Sequence, residues 1–115
     1  LRRDLRGIQC WAVQPDAAFH GLEGMKHMAT SIVPGIYDSS LADGVVEVST
    51  EDAHRMTRRL AREEGVLAGI SSGANLHAAT VVAARLAAEG RAGMVVTVLC
   101  DSADKYLSER FWDEE

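Results

Sequence analysis

Cysteine is scarce. Cys10 and Cys100 are the two in 115 residues. Their separation offers neither a metal-ligand spacing nor a disulfide framework, which fits a protein of the reducing cytoplasm. A basic excess is also missing. Twelve Lys and Arg stand against 17 Asp and Glu, for a net charge of -5. Binding nucleic acid requires neutralising phosphates, so nucleic acid is not expected as a partner. No apolar run approaches the ~20 residues of a membrane-spanning helix. No signal-peptide pattern, internal repeat or low-complexity tract is visible, and no membrane partner is expected.

What remains is an ordinary globular composition, 47% hydrophobic and 25% charged, of a length that suits one domain. "IQCWAVQ", residues 8–14, is apolar and β-rich, and Pro15 follows it, so a strand is expected there. Residues 16–43 lack a clean period and read as a long irregular segment with a short helix near 22–28. Loops that long inside a compact domain are usually functional. "VVEV", 45–48, reads as a second strand. The clearest helix follows over 50–64. Ser49 caps it, Glu51 and Asp52 lie in its first turn, Ala53, Met56, Leu60 and Ala61 form its buried stripe, and Gly65 stops it. Its basic cluster of Arg55, Arg58, Arg59 and Arg62 lies among acidic residues and reads as a solvated face.

"VLAGI", 66–70, reads as a buried strand. A second helix spans 73–89, with Leu76, Ala79, Ala83 and Leu86 facing inward and Gly90 ending it. "MVVTVLC", 94–100, is a continuous apolar strand, and a helical segment follows over 103–112. Apolar strands alternating with capped helices predict an α/β fold with a mainly parallel sheet flanked by helices. Ligands in such sheets sit at the carboxyl ends of strands. Two segments occupy that position: "GISSGA" and "CDSADKY".

Gly69-Ile70-Ser71-Ser72-Gly73 spells G-x-S-x-G, the turn that carries the nucleophile of α/β hydrolases. That chemistry requires a histidine after the acid in the chain. Asp101 could serve as the acid, but His20, His27, His54 and His77 all precede it. His77 lies on the same helix as Ser71 and reads as a surface or packing residue. The hydrolase reading therefore fails on chain order. A simpler reading makes Ser71 or Ser72 a helix cap. The small residues on either side also let a flat or anionic ligand approach the backbone at a helix amino terminus.

The run "EEGVLAGISSGANLHAA" resembles the serine-containing turn of the cysteine synthase and cystathionine β-synthase family, the fold-type II enzymes that use pyridoxal phosphate. "VVTVLCDSADKYLSERFW", with Tyr106-Leu107-Ser108, is similar to the family's last strand and the turn after it. "EGMKHMATSIVPGIYDSSL", with Pro34-Gly35-Ile36-Tyr37, resembles the mobile segment bordering the substrate entrance in the cysteine synthase branch. "IQCWAVQPD" fits the strand before it. The resemblance covers essentially the whole chain in order, and it lies closest to cysteine synthase.

The resemblance implies pyridoxal 5'-phosphate as cofactor and a small amino acid as substrate. In the family the first serine of the turn hydrogen-bonds the cofactor's pyridine nitrogen, a role that falls on Ser71. Ser72 and Gly73 would shape the turn, Asp101 and Ser102 would line the site, and Met28 to Ser31 would lie at its mouth. Tyr106 and Trp112 read as packing residues, and Cys100 as a buried, inert thiol. The family's Schiff-base lysine and its phosphate-gripping loop lie upstream of these motifs. Neither Lys26 nor Lys105 stands in the lysine's context, so no catalytic residue is assigned within the chain. The first residue is Leu1, and "LRRDLRG" reads as the end of a helix. Residues 1–115 are thus expected to be a partial cofactor-binding α/β domain, the C-terminal portion of a tryptophan synthase β-like fold whose complete enzyme is a homodimer. The implied reaction is β-replacement on an activated serine, O-acetylserine plus sulfide giving cysteine. Condensation of serine with homocysteine is the alternative within the family. A non-catalytic remnant or interaction module is the alternative outside it.

Overall fold

The computed structural model describes residues 7–16, 42–100 and 102. The segment 22–28, Pro34 to Tyr37, the run 103–112 and the residues Lys26, Met28, Ser31, Asp101, Lys105, Tyr106 and Trp112 lie outside the described residues. Two strands pair in parallel: β1, Trp11–Pro15, and β2, Gly44–Val48. The register sets Trp11 opposite Gly44, Val13 opposite Val46 and Pro15 opposite Val48. Alternation along β2 buries Val46 and Val48 and leaves Val45 and Glu47 outward. Gly44 answers to its cross-strand neighbour. The indole of Trp11 lies against it, and a Cβ there would stand 2.7 Å from Cε3 of the ring.

Helix α1, Thr50–Glu64, follows β2 directly. Its start is local chemistry: the Ser49 hydroxyl accepts a 3.0 Å hydrogen bond from the Asp52 amide, which has no carbonyl partner inside the helix. Its end is Gly65, at φ +68°, whose N–H bonds the Ala61 carbonyl at 3.1 Å. That left-handed conformation costs glycine nothing and other residues something. The buried face runs Ala53, Met56, Thr57 and Leu60, a helical stripe. Thr57 donates its hydroxyl to the Ala53 carbonyl at 2.7 Å, so a fully buried polar group is satisfied. Of the basic cluster, Arg55 pairs with Asp52 and Arg59 with Glu63 on the exposed face. The Arg59 hydrogen bond holds the Glu63 carboxyl below its ordinary pKa. Arg58 departs from the solvated reading and is buried, because its position continues the face that packs inward.

Helix α2, Ile70–Ala88, packs on α1 and on both strands. Ala53 of α1 and Ala74 and Ala78 of α2 join Val46, Val48 and Ile70 in one core, with Val13, Val81 and Val82 against it. The closest approach is at Gly73. A Cβ there would collide with the Thr57 hydroxyl and the Ala53 carbonyl and stand 3.0 Å from the Thr57 amide. The Arg85 guanidinium reaches from α2 to 5.2 Å from the Trp11 ring centroid, a cation–π contact that ties the helix to β1.

A parallel pair of strands with two helices packed beside it agrees with the expected α/β class, but several expected elements differ. Residues 66–70 and 94–100 form no strand among the described residues. Ala68 and Ser102 make a single antiparallel pair, and Ile70 already belongs to α2. A strand requires a neighbouring backbone to complete its ladder, and apolar content alone does not provide one. Helix α2 starts three residues earlier than its expected 73. Its inward face is also rotated: Ala83 is exposed, while Ile70, Ser72, Gly73, Ala74 and Ala78 are buried. An alanine-rich helix carries little contrast between faces, so the small residues that permit close packing set the orientation.

Two substitutions test this packing. Gly73→Ala is expected to lower stability by about 2 kcal/mol. The backbone atoms facing Gly73 have no free rotor, and they outweigh the gain of about 1 kcal/mol in helix propensity. Urea denaturation reads the change as a lower midpoint at unchanged slope. An unchanged or raised midpoint means the helices are not in this contact. Ser49→Ala is expected to cost about 1 kcal/mol through the lost cap, and an unaltered midpoint speaks against that cap.

Candidate functional site

The turn into α2 gathers the polar groups that the sequence singled out. Gly69 is the cap residue, extended at φ -73° and ψ 173°, and no side chain caps the helix. Neither Ser71 nor Ser72 is therefore a cap. Both lie within the first turn, because α2 begins at Ile70. The first turn carries no acidic residue. Its amides lack carbonyl partners and leave the positive end of the helix dipole uncompensated.

The two serines differ in what they do. Ser72 is fully buried, and its hydroxyl accepts a 3.0 Å hydrogen bond from the Cys100 amide. One turn on, Asn75 donates its side-chain amide to the Val98 carbonyl at 3.2 Å and reaches the Cys100 sulfur at 3.5 Å. Together they hold residues 98–100 against the start of α2, and the Ala68–Ser102 pair extends the seam. Ser102 is exposed at its far end. Gly73 faces α1, so its role is packing. Ser71 is half-buried, and its hydroxyl makes no hydrogen bond among the described residues.

Cys100 corrects an expectation, being exposed where a buried thiol was anticipated. Its segment lies beside α2, with no second layer over it among the described residues. His77 lies between the helices with Nε2 3.6 Å from the Asp52 carboxylate. That contact with α1 agrees with its packing role and removes it further from a base for Ser71. Sequence reasoning missed Asn75. The available signal was its spacing, three residues after Ser72 and hence on the same helix face.

What the turn fits is a flat group with a polar edge. A hydroxyl with no hydrogen bond among the described residues, at an uncapped helix start, suits a neutral hydrogen-bonding atom, such as a ring nitrogen. No group of three or more His, Cys, Asp or Glu that could hold a metal occurs among the described residues. No helix among them is long and apolar enough to cross a membrane.

The family model described as "Pyridoxal-phosphate dependent enzyme" matches residues 1–101. A cysteine synthase of Aquifex aeolicus is 43% identical over 108 residues, covering 94% of this chain and 33% of the relative. Cysteine synthase B of Escherichia coli is 32% identical over 115 residues, covering all of this chain and 36% of the relative. The crystal structure of a cysteine synthase from Entamoeba histolytica superposes on the whole chain with a TM-score of 0.86 at 26% identity, over 35% of its own length. An O-acetylserine-dependent cystathionine β-synthase from Helicobacter pylori does so over 97% of the chain with a TM-score of 0.82 at 32% identity, over 37% of its length. The chain spans about a third of the relatives it matches. Enzymes of this family use pyridoxal phosphate. On the match over residues 1–101, the chain belongs to the family of pyridoxal-phosphate dependent enzymes.

Proposed function

We propose that these 115 residues form part of the cofactor-binding domain of a cysteine synthase-type enzyme. The complete enzyme would be a homodimer that replaces the acetate of O-acetylserine with sulfide to give cysteine. The observation that carries the reading is Ser71, a half-buried hydroxyl with no hydrogen bond among the described residues, at the uncapped start of α2. Relatives named cysteine synthase at 43% and 32% identity support the reaction class. The likeness to a cystathionine β-synthase supports the second reading, with a thiol amino acid in place of sulfide.

Pyridoxal phosphate, when bound, supplies an electron-accepting ring that loosens bonds at the substrate's α-carbon. Ser71 would donate its hydroxyl proton to the ring nitrogen and keep that proton on its own oxygen. Two features of the chain favour a neutral nitrogen over a protonated one. A hydroxyl carries no charge to pair with a cation, and the positive end of α2 repels one. A milder ring suits elimination and replacement at the β-carbon over transamination. Ser72 and Asn75 fix residues 98–100 beside this turn through bonds of 3.0 and 3.2 Å. The fully buried Ser72 and the closely packed Gly73 keep the proposed role of shaping the turn, and the exposed Ser102 a proposed place at the lining of the site. Asp101, Met28 and Ser31 keep the proposed places at the lining and mouth of the site.

The reading is tested in a chimera, with this chain in place of the matching third of the Aquifex aeolicus cysteine synthase. Ser71→Ala is expected to retain the cofactor, shift its visible absorption and slow cysteine formation about five- to tenfold, the worth of one hydrogen bond. A fluorophosphonate should leave Ser71 unlabelled. Unchanged spectrum and turnover, or covalent labelling, would each overturn the assignment. A chimera that binds the cofactor yet makes neither cysteine nor cystathionine points to the non-catalytic alternative.

The 115-residue chain assayed by itself, with pyridoxal phosphate, O-acetylserine and sulfide, is expected to form no cysteine above the cofactor-only background. The reaction requires a lysine to hold the cofactor and move the α-proton. One hydrogen bond of about 1 kcal/mol is also far short of what tight cofactor binding takes. Cysteine formation, or a borohydride-trapped adduct on Lys26 or Lys105, would relocate the chemistry.

A further inference from the structure

The start of α2 meets residues 98–100 and Ser102 through contacts that run in opposite chain directions. Ala68 pairs with Ser102. The Ser72 hydroxyl accepts the Cys100 amide at 3.0 Å. The Asn75 side-chain amide donates to the Val98 carbonyl at 3.2 Å. In sequence, Ser71 lies between the first of these contacts and the second. In extended backbone the C=O of one residue and the N–H two residues on face the same side. Here α2 meets that pair with an acceptor from Ser72 and a donor from Asn75. Two side chains thus do for residues 98–100 what a neighbouring strand does in a ladder.

The two bonds are not equivalent. The bond at Ser72 alone leaves the segment free to swing about one point. Asn75 lies three residues on, about 4.5 Å farther along the helix axis. Its bond fixes the direction of the segment as well as its position. The Asn75 amide can face only one way, because a carbonyl only accepts and the NH2 must meet Val98. The same NH2 reaches the Cys100 sulfur at 3.5 Å. The next polar side chains of α2 are engaged elsewhere. His77 turns to Asp52 of α1, and Thr80 donates its hydroxyl to the His77 carbonyl at 2.6 Å. Asn75 also shares a helix face with Ser71, four residues before it, and helical side chains lean back over the preceding turn.

We propose that Asn75 is a positioning residue for the site: by holding the Val98 carbonyl one turn beyond Ser71, it fixes residues 98–100 as the wall against which the Ser71 hydroxyl is aimed at the cofactor's ring nitrogen. Asn75 acts through Ser71 alone. The inference rests on the Ser71 assignment above and adds to it the residue that orients the serine.

The test is Asn75→Leu, of similar size but without donors, in the Aquifex aeolicus chimera. Without cofactor, the Cys100 amide is expected to exchange with solvent about tenfold faster than in the unsubstituted chimera, while the α1 amides keep their protection. With pyridoxal phosphate bound, the visible absorption is expected to shift in the same direction as in Ser71→Ala, and kcat to fall about threefold at unchanged KM. Added to Ser71→Ala, Asn75→Leu is expected to leave the spectrum unaltered. Ser72→Ala breaks the neighbouring bond and is expected to give the same exchange and spectral effects, so it carries the test where Asn75→Leu fails to fold. Unchanged exchange at Cys100 would overturn the inference, as would an equal spectral shift with and without the Ser71 hydroxyl. A spectrum that responds to Ser71→Ala but to neither Asn75→Leu nor Ser72→Ala overturns this inference and leaves the Ser71 assignment standing. A spectrum indifferent to Ser71→Ala overturns both.

Discussion

At Gly73 the two helices stand too close for a side chain. The space a Cβ would fill is held by the Thr57 hydroxyl and the Ala53 carbonyl. This backbone-level contact positions the rest of the described structure. It presses α2 onto α1, and the fully buried Ala53 and Ala74 close the seam. With α2 seated, its outer faces become platforms. One carries Val46 and Val48 of β2, and the Arg85 contact with Trp11 ties it to β1. Its first turn holds residues 98–100 through Ser72 and Asn75. Moving the helix by the width of a methyl group would shift the serine turn and the sheet together, since close-packed interiors transmit such strain.

Local chemistry was legible in the sequence wherever a few neighbouring residues decide the outcome. Helix α1 is the clearest case: Ser49, Gly65 and the stripe of Ala53, Met56 and Leu60 occupy the positions their types imply. The start of α2 was not legible, because its first turn is set by docking against residues 98–100 and no side-chain cap marks it. Its inward face was misjudged since alanine looks alike on every side. The apolar runs 66–70 and 94–100 show what composition leaves out. It indicates a wish to be covered, but the covering backbone is a matter of the rest of the fold. The same openness explains why Cys100 is exposed. At the site, Ser71 was singled out by resemblance, whereas the division of labour between Ser71 and Ser72 emerged only from the hydrogen bonds.

That division gives the turn its chemical character. Ser72 and Asn75 are committed to the protein, so they make a rigid seat. Ser71 makes no hydrogen bond among the described residues, so it is free to meet a ligand. The absence of acid in the first turn matters as much as the hydroxyl. An aspartate there would neutralise the helix end and favour a cation beside it. On the proposed assignment, a neutral hydroxyl against a positive helix end would suit an uncharged acceptor.

The proposed role of Ser71 makes a direct statement about the charge state of the cofactor's ring nitrogen. Nitrogen NMR on the chimera loaded with 15N-labelled pyridoxal phosphate measures it. The account predicts the resonance of a neutral, hydrogen-bonded pyridine that moves downfield, toward a bare pyridine, when Ser71 becomes alanine. A pyridinium resonance, or one indifferent to that substitution, would contradict it.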